Sequence, residues 1–125
     1  MTISHVKIIG SGLIGTSIGL ALALKNIGVS MQDIDSRAQG LARDLVKSPS
    51  TNPVDLVIFA LPINSLNSSL DIEFANNPKA CFIDISSVKF KVKVEVSSSE
   101  LPLHRFLPTH PMAGREVGGA ESARA

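Results

Sequence analysis

Apolar residues fall in short runs broken by polar and glycine-containing stretches. Val6 to Ile9 is one such run, ending at a glycine cluster, and Leu13 to Asn26 then carries Leu and Ile at helical spacing. The pattern predicts a strand, a tight turn and a helix. Gly28 is expected to end that helix as its C-terminal cap, and Val29 to Ile34 to form a second strand finishing in acidic residues. Ser36 to Lys47 reads as a second helix with Leu41, Leu45 and Val46 on its inner face. Ser48 to Pro53, rich in Ser, Pro and Asn, reads as a loop.

Val54 to Leu61, VDLVIFAL, is dense in β-branched and apolar residues and stops at Pro62, as a strand buried on both faces should. Asn64 to Phe74 is polar and weakly helical, and Ala80 to Ile85 is another short apolar strand. From Phe90 to Val96, apolar and charged residues alternate with a strand-like period, yet a parallel continuation needs a crossover, so a helix is expected there. Arg105 to Leu107 is the last predicted strand and delivers His110 into a loop. Strands alternating with helices imply a parallel sheet, so the fold expected is α/β, a Rossmann-type doubly wound parallel sheet.

A chain of 125 residues, 44% hydrophobic, has material for one core and not for two, so residues 1–125 are read as a single domain. Twelve Lys and Arg against eleven Asp and Glu leave a formal charge of +1, which excludes a broad surface for nucleic acid or anionic membrane. The single cysteine, Cys81, cannot form an internal disulfide; beside Ala80, Phe82 and Ile83 it is expected to be a buried strand thiol in a reducing compartment, the cytoplasm. The long uncharged stretch between Lys7 and Lys25 is broken by Gly10, Ser11, Gly12, Gly15, Thr16, Ser17 and Gly19. It lacks the roughly 20 mostly apolar residues of a spanning helix.

Gly10, Gly12 and Gly15 spell G-x-G-x-x-G directly after a strand and before a helix, the setting in which this pattern signals a dinucleotide. Gly10 permits the sharp turn, Gly12 lets a pyrophosphate approach the backbone, and Gly15 lets helix and strand pack closely. The helix N-terminus then offers free N–H groups and a partial positive charge. The alternative is a glycine-rich turn in some other α/β fold. Asp33, 18 residues after Gly15, stands where a carboxylate accepts hydrogen bonds from the adenosine ribose and repels a 2′-phosphate. NAD is therefore favoured over NADP, although Arg37 could accommodate the phosphate if Asp33 turned away. Asp35 competes for the role; its ordinary reading is a solvated loop acid. The cofactor-binding candidates are Gly10, Ser11, Gly12, Leu13, Ile14, Gly15, Asp33 and Arg37, with Leu61, Pro62 and Ser86 just after two later strands. No metal is expected.

The stretch GSGLIGTSIGLAL from Gly10 to Leu22 resembles the opening of prephenate and arogenate dehydrogenases. Asp84 to Lys89, DISSVK, is similar to that family's D-x-x-S-V-K segment, and His110 to Gly119, HPMAGREVGG, to its H-P-M-A-G-x-E-x-x-G segment. The last is the most specific of the three. The resemblance implies an NAD-dependent oxidative decarboxylation of prephenate or arogenate on the path to tyrosine, driven by aromatisation of the ring. It implies that His110 hydrogen-bonds the substrate 4-hydroxyl, that Ser87 orients that hydroxyl or His110, and that Glu116 stands at the pocket mouth to hydrogen-bond and control access. Ordinary readings stand beside these: a structural histidine, an N-cap serine, an exposed loop carboxylate, a solvated Lys89 and a packing Met112.

The family carries a helical second domain that supplies much of the dimer interface and a substrate-binding arginine, and no counterpart is present in these 125 residues. Ala120 to Ala125 reads as the start of a helix. The path from Lys47 to Val54 is shorter than in the family, so an edge strand is expected to be missing or rudimentary, exposing apolar surface through which a homodimer could form. Two other readings remain open: a different NAD-dependent hydroxy-acid dehydrogenase domain, and a non-catalytic dinucleotide-binding module.

Overall fold

The computed structural model describes residues 2–62, 65–85, 103–109 and 123. Five strands and three helices follow in the order β1 (His5–Ile9), α1 (Leu13–Ala23), β2 (Gly28–Gln32), α2 (Ser36–Val46), β3 (Leu56–Phe59), α3 (Leu66–Asn76), β4 (Cys81–Asp84) and, after a 3-10 turn at Leu103–Arg105, β5 (Phe106–Pro108). The strands form one parallel sheet in the order β2-β1-β3-β4-β5. The register is level at one edge. Ile9 lies beside both Gln32 and Phe59, and Asp84 beside both Phe59 and Pro108, so all five strands end there together.

Alternation along β1 divides the core in two. Val6 and Ile8 join Val29, Met31 and Ile58 under α1 and α2, which contribute Ile18, Leu20, Ala42 and Val46. Ile9, Val57, Phe59 and Phe82 pack on the other face against Leu66, Leu70 and Phe74 of α3. Helices on both faces of a parallel sheet make the doubly wound arrangement expected from the alternating pattern. On the α3 face Lys7 meets Glu73 at 2.8 Å, and Glu73 also accepts from the Asn77 side-chain amide at 3.0 Å. Arg105 closes the end of α3 onto β4: it donates to the carbonyls of Ala80 and Asn77 and lies over the rings of Phe74 and Phe82.

Several expectations need correction. Gly28 does not cap α1; it opens β2, donating its N–H to Ser4, and the left-handed residue after the helix is Asn26. Pairing with β1 claims that glycine. Leu41 and Leu45 are exposed at 40% and 42%, while Ala42 and Val46 are buried. A Cβ on Gly19 of α1 would lie 2.9 Å from Val46 Cγ2, so the two helices approach too closely for leucines between them. Cys81 is half-buried. The last strand begins at Phe106, Arg105 belonging to the preceding turn. Residues Phe90 to Val96 lie outside the described residues, as does all of the 120–125 segment except Ala123, which is buried.

Among the described residues no strand pairs with the outer side of β2. Ser48 bonds there, its carbonyl accepting Val29 N–H and its hydroxyl donating to the Ile27 carbonyl just before β2, and Arg43 Nε donates to Met31 O at 3.3 Å. A loop carbonyl and a charged side chain thus seal the edge. At the opposite end of the sheet Asp55 accepts from Ser4 N–H, the Ser4 hydroxyl and His5 N–H. These donors, the Ser4 amide foremost, hold its carboxyl below its ordinary range.

Candidate dinucleotide site at the level edge of the sheet

The strand order reverses at β1: the chain goes first to β2 on one side and then to β3 on the other. The crevice at the C-terminal ends of these strands is where α/β sheets hold ligands. The glycine turn fills it. Gly10 has φ +108°, and a Cβ there would run into the Ala60 carbonyl, whose carbon lies at 2.8 Å. A Cβ on Gly15 would run into the Gly10 carbonyl oxygen and lie 3.1 Å from Ala60 Cβ. A Cβ on Gly12 would meet nothing within 4 Å. Two glycines are thus required by the protein itself, and the third leaves a clear space at the mouth of α1.

That mouth is electropositive by construction. Gly12 is the N-cap of α1, and among the described residues no side chain caps it and no acidic residue stands in the first turn, so the N–H groups of that turn and the dipole face outward, the Asp33 carboxylate bonding the preceding Ser11 N–H instead. Leu13 and Ile14 supply this first turn. Ser11 is clamped at its backbone: its N–H donates to Asp33 Oδ2 at 2.7 Å and its carbonyl accepts from Thr16 Oγ1 at 3.2 Å. Its side-chain hydroxyl is buried and has no partner among the described residues. A bare helix mouth, a Cβ-free space and an orphaned hydroxyl suit the diphosphate of a dinucleotide.

Asp33 follows β2 immediately, at the adenosine side of such a ligand. Besides Ser11, it accepts Asp35 N–H through Oδ1 at 2.9 Å, and its own N–H donates to Gln39 Oε1 at 2.8 Å. Asp35 is occupied as the N-cap of α2, accepting from Arg37 N–H and Ala38 N–H at 2.9 and 3.3 Å. Arg37 stands exposed in the first turn of that helix, and Ile34, between the two acids, is fully exposed. Leu61 and Pro62 follow β3 at the same edge; Leu61 packs on the α3-side core and the Pro62 carbonyl accepts Ser65 N–H.

The structure therefore brings together Gly10, Ser11, Gly12, Gly15 and Asp33. Ser86, Ser87, His110 and Glu116 lie outside the described residues. Sequence reasoning missed Thr16, Ala60 and Gln39. A threonine directly after the last glycine of a fingerprint and a small residue just past β3 are weak signals, and nothing local marks Gln39. Among the described residues no three His, Cys, Asp or Glu gather as metal ligands, and no helix is long and apolar enough to cross a membrane.

Residues 20–125 match the family model described as the prephenate dehydrogenase nucleotide-binding domain. Over 94% of its length the chain is 28% identical to "Probable prephenate dehydrogenase NovF" of Streptomyces niveus and 28% identical to a cyclohexadienyl dehydrogenase of Zymomonas mobilis, covering 33% and 44% of those proteins. It thus spans less than half the length of the curated relatives it matches. The crystal structure of prephenate dehydrogenase from A. aeolicus, in complex with hydroxyphenyl propionate and NAD+, superposes with a TM-score of 0.71 at 18% identity, covering 98% of this chain and 46% of that one. That likeness is one of fold. With the family model spanning most of the chain, this protein belongs to the prephenate dehydrogenase nucleotide-binding domain family.

Proposed function

We propose that this chain is the NAD-binding part of an enzyme that oxidatively decarboxylates prephenate or arogenate in tyrosine biosynthesis. The observation that carries the reading is the pairing of an uncapped, Cβ-free helix mouth at Gly12 with the carboxylate of Asp33 at the level edge of the sheet. The A. aeolicus relative in complex with NAD+ supports the choice of ligand. The α1 mouth and Ser11 would hold the diphosphate, and Asp33 the adenosine ribose hydroxyls.

Bound there, NAD supplies the acceptor for the hydride that leaves C4 of the cyclohexadienol as carbon dioxide departs and the ring becomes aromatic. The chain's own residues do the rest. His110 accepts the 4-hydroxyl proton as the carbonyl develops, an imidazole with an ordinary pKa of about 6.5 being mostly neutral at physiological pH. Ser87 orients the hydroxyl or His110, and Glu116 controls access. Each role comes from the family motifs. Arg37 accommodates a 2′-phosphate if Asp33 turns away, and Leu61, Pro62 and Ser86 are further cofactor-binding residues. We assign the protein to the cytoplasm and its exposed Leu24, Leu41 and Leu45 to a homodimer or domain interface.

Calorimetry with NAD and NADP on wild type and Asp33→Ala tests the reading. Wild type should bind NAD with micromolar or weaker affinity, and Asp33→Ala should lose about tenfold or more, the worth of a charge-assisted hydrogen bond. Folded protein that binds neither dinucleotide defeats the reading. Binding without turnover of prephenate or arogenate, even with a helical partner domain fused, would leave a non-catalytic dinucleotide module.

A further inference from the structure

The carboxylate of Asp33 is held from two sides. Oδ2 accepts Ser11 N–H from the glycine turn at 2.7 Å, and Oδ1 accepts Asp35 N–H from the chain entering α2 at 2.9 Å. A third anchor acts on the main chain: Gln39 Oε1 accepts Asp33 N–H at 2.8 Å. Gln39 is itself fixed, since its own N–H donates to the Asp35 carbonyl at 3.0 Å while the Asp35 side chain caps α2. The turn before α1, the end of β2 and the first turn of α2 therefore form one closed set of hydrogen bonds.

The register explains why a side chain is needed. Gly28 N–H and Gln32 C=O bond toward β1, so the odd-numbered residues of β2 and Asp33 direct their backbone outward. No strand pairs there among the described residues, and the Gln39 amide takes the place of a strand carbonyl for Asp33. An acid able to swing aside can leave room for a 2′-phosphate. Asp33 can do so only by breaking two bonds to backbone amides.

We propose that Gln39 is a positioning residue that sets nucleotide specificity: by fixing the main chain of Asp33 it keeps the carboxylate where a ribose 2′-hydroxyl can donate and a 2′-phosphate is repelled. The inference rests on the dinucleotide reading above and extends it to a residue that does not touch the ligand. The carboxylate oxygens retain lone pairs for the ribose hydroxyls after accepting the two amides. Exposed Arg37, two residues before Gln39, is the cation that would receive a 2′-phosphate once Asp33 is displaced.

The test uses the full chain with Gln39→Met, which removes the acceptor at similar length, and Gln39→Glu, which keeps one. NAD and NADP affinities are read by calorimetry and stability by thermal unfolding. Wild type should favour NAD by about tenfold or more, and Gln39→Met should lower that ratio by about fivefold, as loss of one hydrogen bond implies. Gln39→Glu should leave the ratio at or above wild type. An unchanged ratio in Gln39→Met, or an equal fall in Gln39→Glu, overturns the proposal; so does a lowered Tm with the ratio intact, which leaves only a folding role. If Gln39→Met does not fold, hydrogen exchange on wild type decides: Ser11 and Asp33 amides should be protected, and rapid exchange at either overturns the lock. Wild type that binds neither dinucleotide sinks the dinucleotide reading and this inference together, an outcome distinct from all the others.

Discussion

Substituting Gly12 and Gly15 of the turn one at a time should separate folding from binding. In Gly12→Ala the backbone, at φ −78° and ψ −162°, is open to any L residue, and the new Cβ meets nothing. Alanine is a poorer N-cap than glycine by up to about 1 kcal/mol, and the loss of unfolded-state freedom returns about 0.4–1 kcal/mol. Stability should stay within about 1 kcal/mol of wild type, a Tm change within about 4 °C. Gly15→Ala differs because its Cβ runs into the Gly10 carbonyl oxygen, with Gly10 C at 3.3 Å and Ala60 Cβ at 3.1 Å. The obstacles are backbone and a strand residue, which cannot rotate away. Overpacking of this kind costs about 1–3 kcal/mol or more, against a helix-propensity gain of about 1 kcal/mol for alanine over glycine. The overlap with backbone puts the cost at the top of that range, so a net loss of about 2 kcal/mol, roughly 8 °C in Tm, follows. For NAD the order inverts, since the Gly12 Cβ fills the space that the diphosphate needs: Gly12→Ala should weaken binding by about 100-fold, near 2.8 kcal/mol, while remaining folded. Urea denaturation and calorimetry on the same samples read both quantities. If Gly12→Ala binds NAD like wild type, or Gly15→Ala unfolds like wild type, the division of labour within the turn is wrong.

Three further outcomes follow from other parts of the fold. The Asp55 carboxyl sits below its ordinary 3.8 because Ser4 and His5 donate to its ionised form; its contribution is complete above the unfolded value and disappears as pH falls through the lowered folded value. Acid titration followed by circular dichroism should therefore show Asp55→Asn losing less stability than wild type below about pH 4. Lys7→Met strands a Glu73 carboxylate whose side chain is only 3% exposed; it should cost about 3–5 kcal/mol in urea denaturation, and adding Glu73→Met should recover most of that. Arg105→Met leaves the carbonyls of Ala80 and Asn77 without their guanidinium and removes its stacking on Phe74 and Phe82. Thermal unfolding should register a loss of about 2–3 kcal/mol.

The parts of the fold that could be read from the sequence are those in which local pattern and tertiary demand agree. β1 and β3 are buried on both faces, so apolar density alone located them, with ends trimmed where pairing stops at Phe59. The glycine turn was legible because Gly10 and Gly15 are required there for steric reasons and Gly12 completes the pattern. α2 shows where such reading fails. Leu41, Leu45 and Val46 were read onto its inner face, and of these only Val46 is buried. The close approach at Gly19 selects Ala42 beside it in place of the leucines, and that approach belongs to α1, far away in sequence. Gln39 was invisible for a similar reason: a polar helix residue bonds the Asp33 N–H where, among the described residues, β2 has no outer neighbour.

Apart from Arg37 and Gln39 of α2, the candidate cofactor site stands at the first residues beyond the strands. Gly10 follows β1, Asp33 follows β2, Ala60 and Leu61 follow β3, Ile85 follows β4 and Thr109 follows β5, where Thr109 N–H and its hydroxyl both return to the Asp84 carbonyl. Because the register is level, these exits lie on one line across the sheet. Parallel strands are about 4.8 Å apart, so the exits of β2 and β5, four spacings apart in the sheet, are separated by roughly 19 Å, too far for a small substrate alone to bridge. With the adenosine end fixed at Asp33 on one side of β1, a bound cofactor can extend only toward β3, β4 and β5. The DISSVK and HPMAGREVGG segments begin at the exits of β4 and β5, so the same line that orders the strands orders the chemistry proposed for them. A cofactor found running outward past β2, toward Arg43 and Ser48, would break that correspondence and with it the assignment of His110.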